Sequence, residues 1–350
     1  MKPDKFIILS PGFPKDETDS TCLPSPQSFV KILKEKYPEL EIIVLAFQYP
    51  FETAAYEWNN CRVIAMGGKG RGKLFRLLLW CRVWRKLKQL TSKGTVVGLL
   101  SFWCGECTLT GFRFARKNGI PHQCWILGQD AKKDNRYVHL IKPQPNELIS
   151  ISDFLQDSFY QNHKIRPALV IPNGIDPRSF KTNLALRDID ILGSGNLVHL
   201  KRYDLFIEAI AAVKKHIPGI RSVICGKGPE KKTLGALIEK MGLQDNISLL
   251  DEMPHAQVLE LMQRSRVFLH PSSFEGFSTV CLEAHFAGAE VISFQQPQND
   301  ITPGWHIVNS LEEMISETVI ALRKEKTGSP LLCPYLMEDS VKKMMQLFGR

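Results

Sequence analysis

Short apolar runs alternate with longer stretches whose apolar residues recur every three or four positions, and this alternation persists through almost the whole chain. Phe6–Leu9, Ile42–Phe47, Val63–Met66, Thr95–Leu100, Gln123–Leu127, Glu147–Ile151 and Leu169–Ile171 read as strands of a first half. Residues 25–36, 74–90 and 106–118 read as its helices. The pattern then starts again. Strands are expected at Asp190–Leu192, Ser222–Cys225, Ile247–Leu250, Val267–His270 and Glu290–Phe294, and helices at 202–216, 230–241, 255–264, 311–325 and 337–347. Strand–helix alternation predicts parallel sheets covered by helices on both faces. The fold class is therefore α/β, with two doubly wound, Rossmann-like parallel-sheet domains facing a cleft. We place them at 1–165 and 166–335, joined around 160–187, with a last helix at 336–350 returning to the first domain.

Composition narrows the class. The chain has 350 residues, 44% hydrophobic and 23% charged, enough for two ordinary domains. No apolar run reaches the length of a membrane span, and the start reads as a first strand rather than a signal peptide. Nine cysteines, mostly in apolar contexts, predict reduced thiols in a cytoplasmic protein. The net charge of +9 is unevenly spread. No acidic residue occurs between Glu57 and Glu106, an interval that holds Arg62, Lys69, Arg71, Lys73, Arg76, Arg82, Arg85, Lys86, Lys88 and Lys93. Such a field implies an anionic partner. Within residues 69–93, Trp80, Val83, Trp84, Leu87 and Leu90 share one helical face, and Leu77, Leu78 and Leu79 suggest at least partial burial. The helix either covers the first sheet with a solvated basic face or lies on an anionic membrane, with Trp at headgroup level. In both cases the charge is expected to draw the protein to the inner face of the membrane. The segment lacks any nucleic-acid reading motif.

The chemistry concentrates in Pro271–Glu283, a strand end, a loop and a helix start with Ser278 as the expected N-cap. Glu275 sits in the loop and Glu283 on the helix. Backbone N–H groups between them suit a phosphate, and the two carboxylates suit sugar and ribose hydroxyls. Three more loops are expected on the same sheet edge: 193–199, 226–229 and 252–255. Glycines in the first two permit close backbone approach, and Lys201 and Arg202 are cations at a helix start, where the dipole disfavours them unless an anion intervenes. Asp188-Ile189-Asp190 leads into a buried strand and is a poor metal motif.

Ile171-Pro172-Asn173-Gly174-Ile175-Asp176, Lys201–Ala209, Gly226-Lys227-Gly228-Pro229 and Pro271–Glu283 stand in the order and spacing of glycosyltransferase family 4, and the chain resembles these retaining GT-B enzymes. The resemblance is strongest over 165–295. It implies that Glu275 contacts the transferred sugar and Glu283 holds the ribose. It also implies that Phe277, Ser278 and Thr279 offer N–H groups to the diphosphate, which Lys201 neutralises. Gly12, Asn196, Arg202, Gly226 and Gly228 complete the donor side. The implied reaction is metal-free transfer, without a cofactor, from a nucleotide-diphosphate sugar to a glycan or lipid-linked hydroxyl, with positioning and charge stabilisation as the main contributions. Two positions depart from the family pattern. Gly195-Asn196-Leu197 lacks a phosphate-binding Arg, which Arg202 could partly replace, and Leu127 stands where many members carry His. On the acceptor side this leaves Trp103, Glu106, Gln129 and Asp130 as candidates. The missing groups keep open a sugar-nucleotide-binding protein without transferase activity. A more distant alternative is thiol–disulfide chemistry through Cys104 and Cys107, where a helix N-terminus would lower the Cys104 thiol pKa.

Overall fold

The computed structural model describes residues 3–181, 187–295, 302–324 and 335–350. The chain forms two compact units, Met1–Gly174 together with Tyr335–Arg350, and Ile175–Pro334. The division falls at 174/175 rather than at 165/166. Residues 166–174 stay with the first unit because their short strand pairs with the first sheet and Trp125 Nε1 donates to the Ile171 carbonyl at 2.9 Å.

The first sheet has eight strands: β1 (Lys5–Gly12), β2 (Glu41–Tyr49), β3 (Thr53–Trp58), β4 (Cys61–Met66), β5 (Val96–Phe102), β6 (His122–Ile126), β7 (Leu148–Ser150) and β8 (Leu169–Val170). Their spatial order is β3-β4-β2-β1-β5-β6-β7-β8. All pairings are parallel except β3 with β4, a hairpin turned by Asn59 and Asn60, both at positive φ. The sequence pattern missed β3 because most of its side chains are solvent-exposed and it carries no apolar alternation.

Helices α1 (Pro24–Lys36), α2 (Lys73–Thr91), α3 (Glu106–Asn118), α4 (Arg136–Ile141) and α5 (Asp153–His163) complete the layers. The last two were not anticipated. Each is started by a side-chain cap, Asn135 accepting from the Tyr137 N–H and Ser152 from the Leu155 N–H. Successive residues of β1 feed two cores. Phe6 and Ile8 join Phe29, Phe102 and Trp125 on one face, and Ile7 and Leu9 join Leu79, Val83 and Leu87 on the other.

The second sheet has six strands: β9 (Ile189–Ser194), β10 (Ser222–Cys225), β11 (Ile247–Leu250), β12 (Ser265–His270), β13 (Glu290–Ser293) and β14 (Trp305–Ile307). Helices α6 (Tyr203–Lys214), α7 (Lys231–Lys240), α8 (His255–Gln263), α9 (Thr279–Phe286) and α10 (Leu311–Arg323) accompany them. Every pairing described is parallel, in the order β11-β10-β9-β12-β13-β14. The order reverses between β9 and β12. The loops leaving these two strands diverge there, and open α/β sheets bind ligands in the crevice so formed. The first sheet has the same reversal between β1 and β5.

A final helix, α11 (Met337–Gln346), packs on α1 and places Val341, Met344 and Met345 in the first core. Phe348, just past it, meets Phe6 edge to face at 4.9 Å. Its ring lies so close over Gly98 that an added Cβ would collide with it.

Candidate functional site

Strand β12 buries Val267, Phe268 and Leu269 and ends at His270, which is 3% exposed. The loop that follows docks on the one leaving β9. Ser273 N–H and Oγ both donate to the Leu200 carbonyl, at 3.0 and 3.1 Å, and Ser272 Oγ reaches the same oxygen at 3.2 Å. This docking joins two segments some seventy residues apart in sequence and sets Lys201 beside Glu275. The Glu275 carboxylate forms an ion pair with Lys201 and accepts from His270 Nε2 at 2.7 Å. All three side chains are largely buried. Burial alone would raise the Glu275 carboxyl. The His270 hydrogen bond and the Lys201 ammonium outweigh it and hold the group at about 2. An ionised carboxylate only accepts, so His270 carries its proton on Nε2. Burial keeps that ring from taking a second proton.

Glu283, one turn into α9, accepts from His255 Nε2 at 2.8 Å. Burial lowers the His255 pKa, but the Glu283 charge and hydrogen bond more than offset this and leave it raised. Neither histidine was singled out from the sequence. The available signal was position: His270 ends an apolar strand at the carboxyl edge of the sheet, and His255 opens a helix behind another such strand.

Ser278 occupies the N-cap position of α9, yet its side chain does not cap the helix. Its hydroxyl instead lies 3.5 Å from His270 Nε2. Of the three N–H groups expected to face a diphosphate, that of Thr279 is turned to the Phe277 carbonyl at 2.9 Å. The Phe277 and Ser278 side chains are buried.

The two glycine loops are zipped together. Gly195 N–H donates to Cys225 O at 3.0 Å, and Leu197 N–H donates to Lys227 O at 2.8 Å. A Cβ on Gly226 would collide with the Gly195 carbonyl, and one on Gly228 with the Leu197 carbonyl. The close approach these glycines permit is therefore between loops, and Gly226 also needs its φ of +157°. Asn196 is exposed at the tip. The anions implied by two cations at a helix start come from the protein itself. Arg202 chelates Asp204 at 2.8–3.1 Å, and Lys201 is held by Glu275. Arg202 sits at positive φ and is tied to Asp204 of its own helix. Asp188 and Asp190 are paired with Arg264 and Arg266. Among the described residues no cluster of three His, Cys, Asp or Glu side chains is placed to hold a metal ion.

The first-unit candidates do not gather in the same way. Gly12 ends β1, and a Cβ there would make an ordinary 3.5 Å contact with Tyr49. Trp103, at positive φ, and Glu106 follow β5. The Glu106 carboxylate takes hydrogen bonds from Gln48 Nε2 and, at 3.1 Å, from Trp80 Nε1, which ties α3 to β2 and α2. Asp130 is buried and accepts from the Cys104 and Gly128 N–H groups at 2.8 Å each, while burial pushes its carboxyl up to about 6. It organises the loop after β5 from within. Gln129 beside it is exposed. Cys104 and Cys107 are buried. The Cys104 thiol is raised by its contact with Cys124 and by burial, and the Cys107 thiol by burial, so the lowered pKa expected of a helix-start cysteine is absent.

The family model described as glycosyl transferases group 1 matches residues 175–301. The gpi3 subunit of phosphatidylinositol N-acetylglucosaminyltransferase from Schizosaccharomyces pombe is 30% identical over 203 residues, 56% of this chain and 44% of that protein. The GPI3 subunit of the Saccharomyces cerevisiae enzyme with that name is 25% identical over 213 residues, 57% of this chain and 47% of that one. The chain thus spans less than half the length of either relative. Among solved structures, Anabaena Alr3699/HepE in complex with UDP and glucose superposes with a TM-score of 0.68 at 16% identity, covering 99% of this chain and 95% of that one. Sucrose-phosphate synthase from Thermosynechococcus elongatus gives 0.67 at 16% identity, covering 99% and 98%. Residues 175–301 thus match the glycosyl transferases group 1 family, and the two Rossmann-like units share the GT-B fold of these solved structures.

Proposed function

We propose that this protein is a retaining glycosyltransferase that moves a sugar from a nucleotide-diphosphate donor, without a metal, to a hydroxyl of a lipid-linked or glycan acceptor. The observation that carries the reading is Glu275, ionised and fixed by His270 and Lys201 at the switch point between β9 and β12. A negative charge pre-set at that edge suits the hydroxyls of the transferred sugar and the positive charge that develops on its ring as the bond to phosphate breaks. Lys201 is poised to share its ammonium between Glu275 and an arriving phosphate. Glu283, oriented by His255, suits a ribose diol. The leaving diphosphate lies toward the start of α9, where the helix dipole favours it.

The relatives bear names that place N-acetylglucosamine on a phosphatidylinositol, and the solved neighbour holds UDP and glucose. UDP-N-acetylglucosamine and UDP-glucose are therefore the donors to try first, with phosphatidylinositol as the first acceptor. The decisive measurement is UDP release from each donor with and without acceptor. Wild type should turn over. Glu275→Gln should lose roughly a hundredfold or more in kcat while still binding UDP. UDP binding with no turnover of any donor, in either the presence or absence of acceptor, would instead identify a sugar-nucleotide-binding protein. That outcome has support in the pairing of both Lys201 and Arg202 with carboxylates.

A further inference from the structure

Helix α2 carries apolar stripes on two sides. Leu79, Val83, Leu87 and Leu90 are buried against the first sheet. On the other side, Leu74, Phe75, Leu77 and Leu78 are 77%, 55%, 54% and 61% exposed. Leu74, Leu77, Leu78 and the exposed Cys81 follow the spacing of one helical stripe, so the outward face of the first half of the helix is apolar. In the second half the outward positions are basic, with Arg82, Arg85 and Lys88 exposed. Arg71 lies over the Phe75 ring at 5.1 Å, and the first turn contains no acidic residue. Arg76 reaches the Tyr137 hydroxyl on α4 at 3.4 Å, bringing up a second short helix with Arg136 and Leu140 exposed.

The tryptophans expected at a headgroup level are turned inward instead. Trp80 donates to Glu106, and Trp84 packs edge to face on Phe114 at 5.1 Å. The helix is thus anchored by its inner stripe, while the four outer apolar side chains stay more than half exposed. A contiguous apolar strip flanked by cations, in an interval without acids, complements a surface that is apolar within and negative at its boundary.

We propose that the first half of α2 docks this protein on an anionic phospholipid bilayer. Leu74, Phe75, Leu77 and Leu78 enter the acyl boundary, and Arg71, Lys73, Arg82 and Arg85 lie along the phosphates, their stems covering apolar surface. The proposal does not depend on the transferase reading, and its test uses no sugar nucleotide.

The test is flotation of the full chain with phosphatidylcholine vesicles and with vesicles in which roughly a third of the lipid is phosphatidylglycerol. The wild type should float with the anionic vesicles only, and raising the salt to about 0.5 M should release most of it. The triple variant Leu74→Ser, Leu77→Ser, Leu78→Ser should keep its thermal midpoint, since these side chains are exposed, and lose about tenfold or more in partitioning. Arg82→Gln with Arg85→Gln should also lose about tenfold, with less residual salt sensitivity. Failure of the wild type to float at low salt would overturn the proposal, as would undiminished flotation of the serine variant. So would a dimer in light scattering that the serine variant abolishes, which would make the strip a contact between two copies.

Discussion

The two units share one sheet logic and use it differently. Each reverses its strand order, between β1 and β5 in the first and between β9 and β12 in the second. At the second reversal the polar groups converge. Glu275, Lys201 and His270 come from two loops and a strand end, and they meet as a buried charged cluster. At the first reversal the polar groups are engaged with the unit's own scaffold. Asp130 holds backbone N–H groups of its own loops, and Glu106 ties together two helices and a strand. The first unit instead turns apolar side chains outward on α2, where the described residues of the second expose only scattered ones. The difference teaches that a switch point is a place for a site, and that the chemistry depends on whether its polar side chains are left with something to do after folding.

The widest gap between the units should open at their glycines. Gly226→Ala forces a Cβ into the Gly195 carbonyl at a positive φ, and it should cost about 3 kcal/mol or more in urea denaturation and abolish UDP binding. Gly12→Ala meets only an ordinary contact, and stability should move by less than about 0.5 kcal/mol. A drop in donor turnover with that stability intact would show that Gly12 serves a ligand, whereas unchanged turnover would remove it from the donor site.

The buried carboxylates should respond to pH with opposite signs. Glu275 titrates at about 2 when folded and at the ordinary glutamate value when unfolded. The stability it contributes is present above about pH 5 and lost as pH falls toward 2, on the order of 2 kcal/mol. Asp130, raised to about 6, behaves in reverse. Its ionisation is harder in the folded unit, so stability is lost as pH rises from about 4 to about 6, on the order of 1–2 kcal/mol. Hydrogen exchange of peptides covering 265–285 and 100–131 should therefore move in opposite directions across pH 3 to 6. Glu275→Gln and Asp130→Asn should each flatten only their own response. Parallel movement of both segments would break the contrast.

The smallest effect concerns the thiols. Replacing Cys104 and Cys107 with Ser should leave the number of thiols labelled in the native protein unchanged, since both are buried, while Cys81→Ser should remove one. Rapid native labelling at Cys104 would restore the redox alternative.

Much of the fold was legible. The strands of both sheets, apart from β3 and β14, follow from apolar runs of the right length, because a strand covered on both faces must be apolar throughout. β3 and the short helices α4 and α5 escaped because an exposed hairpin strand and a side-chain-capped turn of helix leave little periodic signal. The loop glutamate at Glu275 was legible from its place between a buried strand and a helix start. The roles of Gly226 and Arg202 were not. A glycine that lets a ligand approach looks the same in sequence as one that lets a neighbouring loop approach, and an arginine reveals its partner only when the partner's position is known.

By itself, then, the sequence determined the element order, the α/β class, the family resemblance and the two glutamates of the candidate site, since each is written in local spacing. Only the tertiary structure decided that His270 and Lys201 fix Glu275 as an anion and that His255 orients Glu283. It also decided that the second apolar stripe of α2 faces outward. Those outcomes depend on which distant segments pack together, and packing is set by the whole chain at once.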